Sequence, residues 1–173
     1  MGKAVSELIR VYGDPILSRP AAAVSRFDAT LRRLVERMLR VQSEADAIGL
    51  AAVQVGVPQD VFTVDEGQIY RRGKTDVLIN AVLVAMEGEE TDEEGCLSFP
   101  KVFLHVVRPR RVAVTACDLE GNTIEREAKG MLARVYSHEI DHLQGRLMID
   151  RVDSRARARA VKRMREVHTA RKT

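Results

Sequence analysis

The stretch Tyr136-Ser137-His138-Glu139-Ile140-Asp141-His142-Leu143-Gln144-Gly145 decides how the rest of the chain is read. Residues four apart share one face of a helix, so His138 and His142 direct two imidazoles at a common point while Glu139 stands beside them. Two neutral nitrogen donors and a carboxylate free to move a proton are the parts of a metallohydrolase. Upstream, Met131, Leu132, Val135 and Tyr136 recur at helical spacing, and Gly145 is placed to stop the helix just past its last turn. For a pattern this short taken alone, the plainer alternative is a surface helix that happens to carry two histidines and an acid.

Two histidines leave a metal site incomplete. The metzincin continuation H-x-x-G-x-x-H fits His142-Leu143-Gln144-Gly145-Arg146-Leu147-Met148 until its last position, where a thioether replaces the imidazole. Methionine is a poor ligand for zinc, so the third donor comes from elsewhere. The best donor is Cys96, in Glu93-Glu94-Gly95-Cys96-Leu97-Ser98-Phe99-Pro100. A thiolate binds a divalent cation strongly, and three protein ligands leave a fourth position open.

At these residues the chain resembles the peptide deformylase family. Its motifs G-x-G-L-A-A-x-Q, E-G-C-L-S and H-E-x-D-H are matched in order by Ile48-Gly49-Leu50-Ala51-Ala52-Val53-Gln54, by Glu94-Gly95-Cys96-Leu97-Ser98 and by His138-Glu139-Ile140-Asp141-His142. The resemblance implies removal of the N-formyl group from N-formylmethionyl nascent peptides, with formate and a free N-terminus as products. It implies one divalent metal ion on Cys96, His138 and His142, with iron(II) expected and zinc, nickel or cobalt accepted by the same ligands. Glu139 is then the proton carrier, and the Gln54 side-chain amide and the Leu97 backbone N–H are the oxyanion donors.

Substrate choice is expected from an apolar pocket on the ligand-bearing face. Met131, Arg134 and Val135 stand in line with His138 at helical spacing, and Ile48 and Gly49 face them from the first motif. Glu94 and Gly95 complete the substrate-binding set. Arg134 in an apolar wall has two readings: its methylenes lie along the pocket with the charge outward, or it pairs with a carboxylate such as Glu94.

At 173 residues with 45% apolar content, the chain is of one-domain size with material for a core. Residues 1–150 are expected to form a deformylase-like catalytic domain, and 151–173 a basic C-terminal helix of the same single domain. Two cysteines, Cys96 and Cys117, are too few for a disulfide framework, and no N-terminal apolar run reads as a signal peptide or membrane span. A cytoplasmic protein with no membrane partner is the expectation. Met1-Gly2-Lys3-Ala4-Val5-Ser6 matches a loose myristoylation pattern that matters only in a eukaryotic cell. Residues 151–173 hold nine Lys or Arg against Asp153 and Glu166, so this segment carries +7 of a net +3 and the remainder −4. Ala156, Ala160, Val161, Met164 and Val167 give it an apolar stripe. A solvated terminal helix accounts for that composition; the resemblance adds docking on the ribosome, as in some deformylases.

In chain order, Ile9 to Leu17 is extended and turns at Gly13-Asp14-Pro15, and Asp28 caps a helix through Leu31, Leu34, Val35, Met38 and Leu39 that runs out by Asp46. Val61–Val64 and Val77–Ile79 read as strands joined by an exposed loop, Asp65 to Asp76. Glu87 to Glu94 reads as a solvated connection. Phe103–Val107, Val112–Cys117 and Thr123–Ala128 read as further strands, the last two joined by a turn at Glu120-Gly121-Asn122. The expected fold is α+β, with antiparallel strands around a central helix that carries the H-E-x-x-H motif.

Four positions depart from the family pattern. Ala47 stands for glycine, Ser137 for glutamine, Ala81 where proline is common after Asn80, and Phe103 where some members carry a peptide-contacting arginine. Two rivals from other classes are a metalloprotease, weakened by Met148, and a ribosome-associated binding protein with a structural zinc, which lacks an evident fourth donor.

Overall fold

The structure, a computed structural model, describes residues 8–71 and 73–170. The myristoylation pattern at residues 1–6 lies outside them, as do Arg72, Arg171 and Lys172. The first helix, α1 (Ala29–Ala45), starts where expected: Asp28 Oδ1 accepts from the N–H groups of Thr30 and Leu31 at 2.8 and 3.2 Å. It ends at Asp46, which turns the chain out with φ of 52°.

Seven strands follow: β1 (Gly49–Ala51), β2 (Val61–Asp65), β3 (Thr75–Glu87), β4 (Glu90–Gly95), β5 (Phe103–Arg108), β6 (Arg111–Cys117) and β7 (Thr123–Lys129). They form a five-stranded antiparallel sheet in the order β1-β2-β3-β6-β7 and a separate antiparallel pair, β4-β5. A short helix, α2 (Glu66–Tyr70), breaks what the sequence presents as a plain loop between β2 and β3. The central helix α3 (Met131–Leu143) begins directly after β7, and α4 (Ser154–Ala170) closes the chain.

The continuous apolar run at Val61–Val64 is explained by cover on both faces of the sheet. Alternate side chains point opposite ways along a strand. Phe62, Val64 and Leu78 pack with Ala133, Tyr136 and Ile140 of α3, whereas Val61 and Ile79 pack with Leu31, Val35 and Met38 of α1. Helix α3 therefore lies in the interior, and every residue from Leu132 to Leu143 is buried. On α4, the two stripe residues Ala160 and Met164 are buried in the same cluster as Leu132 and Tyr136.

A second expectation is overturned. The acidic segment before Cys96 is a strand, with Glu90 to Gly95 pairing residue by residue with Arg108 to Phe103. Backbone hydrogen bonds define a strand whatever its side chains, and here no apolar alternation marks it. The strands are also longer than their apolar runs, most of all β3, whose second half exposes Val82, Val84 and Met86.

Asp60, just ahead of β2, has a buried Oδ1 with no hydrogen-bond partner among the described residues. Burial pushes its carboxyl up from 3.8 to about 6, against the pull of the Ala81 backbone N–H. A proline after Asn80 has no N–H to offer, so Ala81 is the residue that supplies one. The native state thus binds this proton more tightly than the unfolded chain. Its cost in stability is complete above pH 6 and vanishes below about pH 4. Asp60→Asn is expected to stabilise the protein by about 1–2 kcal/mol at pH 8, discounted for partial exposure. Denaturant melts at pH 8 and pH 4 check this; an equal gain at both would rule out titration as the cause.

Candidate active site

Three elements deliver the site. The first motif follows α1 as strand β1 and a single 3-10 turn, Ala52–Val55. Gln42 of α1 holds its approach, donating to the Ile48 carbonyl at 2.8 Å while accepting from the Thr63 hydroxyl. The N-terminal segment braces two motifs at once, because Arg10 N–H donates to Gln54 O at 2.8 Å and Tyr12 N–H to Ser98 O at 2.9 Å. Cys96 opens the turn after β4, where its carbonyl accepts from Phe99 N–H at 2.9 Å.

Cys96, His138 and His142 converge, with their ligand atoms all within 4.8 Å of one another. The His138 and His142 rings lie one helical turn apart with centroids separated by 4.9 Å. Cys96 Sγ is 3.3 Å from His142 Nε2. Burial alone would raise the Cys96 thiol, but the surrounding imidazoles of His142 and His138 outweigh it and hold the group well below its ordinary value. A thiolate with two imidazoles is a donor set suited to a divalent transition metal.

The second layer of contacts fixes the orientation of His138. A carboxylate accepts only, so its contact at 2.9 Å from Glu94 Oε2 to Nδ1 assigns the proton to Nδ1 and turns the Nε2 lone pair to the cluster. Glu94 also takes Arg108 Nε at 2.8 Å and Arg134 Nη1 at 2.9 Å, both on Oε1. Burial would push the Glu94 carboxyl up; the His138 and Arg108 hydrogen bonds prevail and hold it at about 2. Arg108 continues to Asp141 at 2.5 Å, and Arg151 meets Asp141 from the far side. Of the two readings of Arg134, the structure shows the ion pair: its guanidinium reaches Glu94 and the carbonyls of Val106 and Glu90, while the side chain still lines the cavity.

Arg108 is the residue that sequence reasoning missed. Its signal was present: along β5, Leu104, Val106 and Arg108 share the inward parity, and an arginine at an inward position demands a buried carboxylate.

Glu139 is buried with Oε2 unpartnered among the described residues. Burial pushes its carboxyl up to about 6 against the nearby imidazoles. Gly49 touches it so closely that a Cβ there would lie 2.4 Å from Oε1 and 2.8 Å from Val135. Gln54 is oriented by the Ala51 N–H, which donates to its Oε1 at 2.9 Å. Its NH2 group therefore points the other way, 3.2 Å from Ser98 Oγ and 3.5 Å from Cys96 Sγ.

These groups line a cavity of about 530 Å³ that holds Ile48, Gly49, Gln54, Glu94, Gly95, Cys96, Leu97, Met131, Arg134, Val135, His138 and Glu139, and its wall omits His142. His142 lies behind, with its Nδ1 lacking a partner among the described residues. Two departures are also explained, and a third is located. Ala47 is not among the positive-φ residues, because Asp46 takes that conformation, so alanine is unstrained. Ser137 bonds back to the Ala133 carbonyl at 2.8 Å within α3. Phe103 stands exposed at the cavity mouth.

A central helix presenting two imidazoles and a carboxylate, met by a cysteine from a neighbouring turn, is the donor set of a metallohydrolase. The profile of the polypeptide deformylase family matches residues 6–158. The peptide deformylase of Thermotoga neapolitana is 41% identical over 159 residues, covering 92% of this chain and 94% of the relative. The crystal structure of a peptide deformylase from Legionella pneumophila superimposes with TM-score 0.88 at 32% identity, over 94% of this chain and 95% of that one. A Synechococcus elongatus peptide deformylase solved with actinonin gives TM-score 0.85 at 39% identity, over 90% and 86% of the two chains. The chain belongs to the peptide deformylase family, whose members are metal-dependent. No helix among the described residues is long and apolar enough to cross a membrane.

Proposed function

We propose that Cys96, His138 and His142 hold the metal, that Glu139 moves the proton, and that Gln54 and Leu97 face the oxyanion. Family membership makes the chain a hydrolase that removes the N-formyl group from formyl-methionyl nascent peptides. The observation that carries the residue assignment is the buried Glu139 Oε2, without a hydrogen-bond partner among the described residues, beside the three converging ligands. A divalent cation held there would supply Lewis-acid polarisation of the formyl carbonyl and would acidify water.

The chain's own groups do the rest. Glu139, with its carboxyl near neutrality, takes a proton from the attacking water at Oε2 and gives it to the leaving amine, so one group serves as base and then acid. The NH2 of Gln54 and the backbone N–H of Leu97 donate to the oxygen that becomes negative. Ile48, Gly49, Met131 and Val135 surround the methionine side chain, with Gly95 at the backbone of the substrate. Glu94 and Arg134 form the wall and hold His138 in place through their ion pair. Incubation with formyl-methionyl peptide, acetyl-methionyl peptide and casein, followed by assay of formate and new amines, tests this reading. Formate from the first substrate alone is expected, and cleavage of casein would oppose it.

Iron(II) is the proposed native metal, with zinc, nickel or cobalt as alternatives for the same ligands. The iron form is expected to be faster and to decay in air, because a thiolate and an oxidisable metal both react with oxygen; the zinc form is expected to be slower and air-stable. Metal stoichiometry and kcat/KM before and after air exposure check this, and equal, oxygen-insensitive turnover by both forms would refute it.

We place the enzyme in the cytoplasm, where formylated chains are made, and propose that the basic helix α4 docks on the ribosome. Deleting α4 is a poor test, since Ala160 and Met164 are buried in the main core. Arg155→Ala with Lys162→Ala instead alters only exposed positions. This pair is expected to reduce ribosome co-sedimentation and its salt dependence while melting temperature holds. Unchanged co-sedimentation would remove the docking role.

A further inference from the structure

We infer that the groove between β5 and α4 receives the stretch of substrate chain that follows the formyl-methionine, and that it favours acidic residues there. The inference rests on the deformylation reading above.

The groove encloses about 690 Å³. It shares Glu93, Lys101, Val102 and Phe103 with the catalytic cavity, so the two are continuous around one edge. A substrate whose formyl group lies at the Cys96, His138 and His142 cluster must lead its remaining chain away from that cluster, and this shared edge is a way out that stays on the protein surface.

Phe103 stands at the junction and is 63% exposed. Its ring is held in place because it lies against Gly95, its opposite residue in the β4-β5 register, where a Cβ would come within 2.8 Å of the ring. An exposed aromatic ring fixed between two grooves is a contact surface for a passing peptide. Beyond it, Val107, 47% exposed, and Val152 continue an apolar floor along the groove. From Phe103 to Val107 an extended strand advances about 13 Å, which matches about four residues of an extended peptide.

The charge of the groove selects among peptides. Lys101, Arg151, Arg159 and Arg163 border it against the acids Glu93 and Asp153; Arg151 is taken up by Asp141 and Arg163 shares its charge with Glu166, so Lys101 and Arg159 meet the peptide first, in the field of the basic helix α4. A groove with an apolar floor beside a basic helix fits an extended peptide with acidic side chains.

The test compares kcat/KM on three substrates: a formyl-methionyl tripeptide and two nine-residue formyl-methionyl peptides, one with glutamates and one with lysines at positions five to seven. Each nonapeptide is referred to the tripeptide, which is too short to reach the groove. The expected result for the unaltered enzyme at low salt is a preference of about tenfold for the glutamate peptide, expressed in KM and shrinking as salt is added. Arg159→Glu with Arg163→Glu should reverse the order. Equal values for the two nonapeptides, or a preference that survives the reversal, would overturn the inference. Failure to turn over any formyl peptide would count against deformylation itself. The groove is then read by fluorescence anisotropy of a labelled glutamate peptide without formyl-methionine: binding that weakens on charge reversal supports it, and no binding, or binding unchanged by the reversal, overturns it.

Discussion

Glu139→Gln is expected to keep its full metal content and to lose kcat by about a thousandfold, with KM little changed. Glutamine has the shape of glutamate and preserves the close approach to Gly49, so packing is conserved. What it lacks is a site that accepts a proton and returns it. The native carboxylate has one oxygen without a partner among the described residues, and its burial brings it to about 6, where it can do both near neutral pH. Metal analysis alongside initial rates on formyl-methionyl peptide separates the two effects. A variant that retains metal and near-normal turnover would exclude Glu139 as the proton carrier.

Cys96→Ser is expected to weaken metal binding by at least about a hundredfold, with activity falling in parallel. The serine hydroxyl is almost the size of the thiol, so the turn from Cys96 to Phe99 should persist. It stays protonated, however, where the imidazoles of His142 and His138 hold the thiol low enough to ionise. Chelator competition gives the affinity, and the visible spectrum of the cobalt form reports loss of the sulfur ligand independently of catalysis. Full occupancy with an unchanged spectrum would point to another third ligand.

Local patterns were legible in the sequence wherever one element supplied the signal. The spacing of His138 and His142, the Asp28 cap and the apolar period of α1 are written within a turn or two of chain, and the structure places them as read. Contributions from side chains that meet across the fold were harder to see. Strand β4 carries five polar residues before Gly95 and reveals itself only through its pairing with β5. Glu94 is legible as a motif residue and as a candidate partner for Arg134, but its hold on Arg108 and His138 shows only once a strand and a helix bring them around it. The role of Asp141, visible only as a motif letter, depends likewise on Arg108 and Arg151 arriving from either side.

The main core joins Leu17, near the start of the chain, to Tyr136 in its central helix and Met164 close to its end. Contacts so distant in sequence form slowly, since the loops between them must close first. A chain emerging from its N-terminus cannot complete this core while residue 164 is still being added or is held within the ribosome. Folding of this enzyme therefore waits for helix α4, which supplies the closing contact.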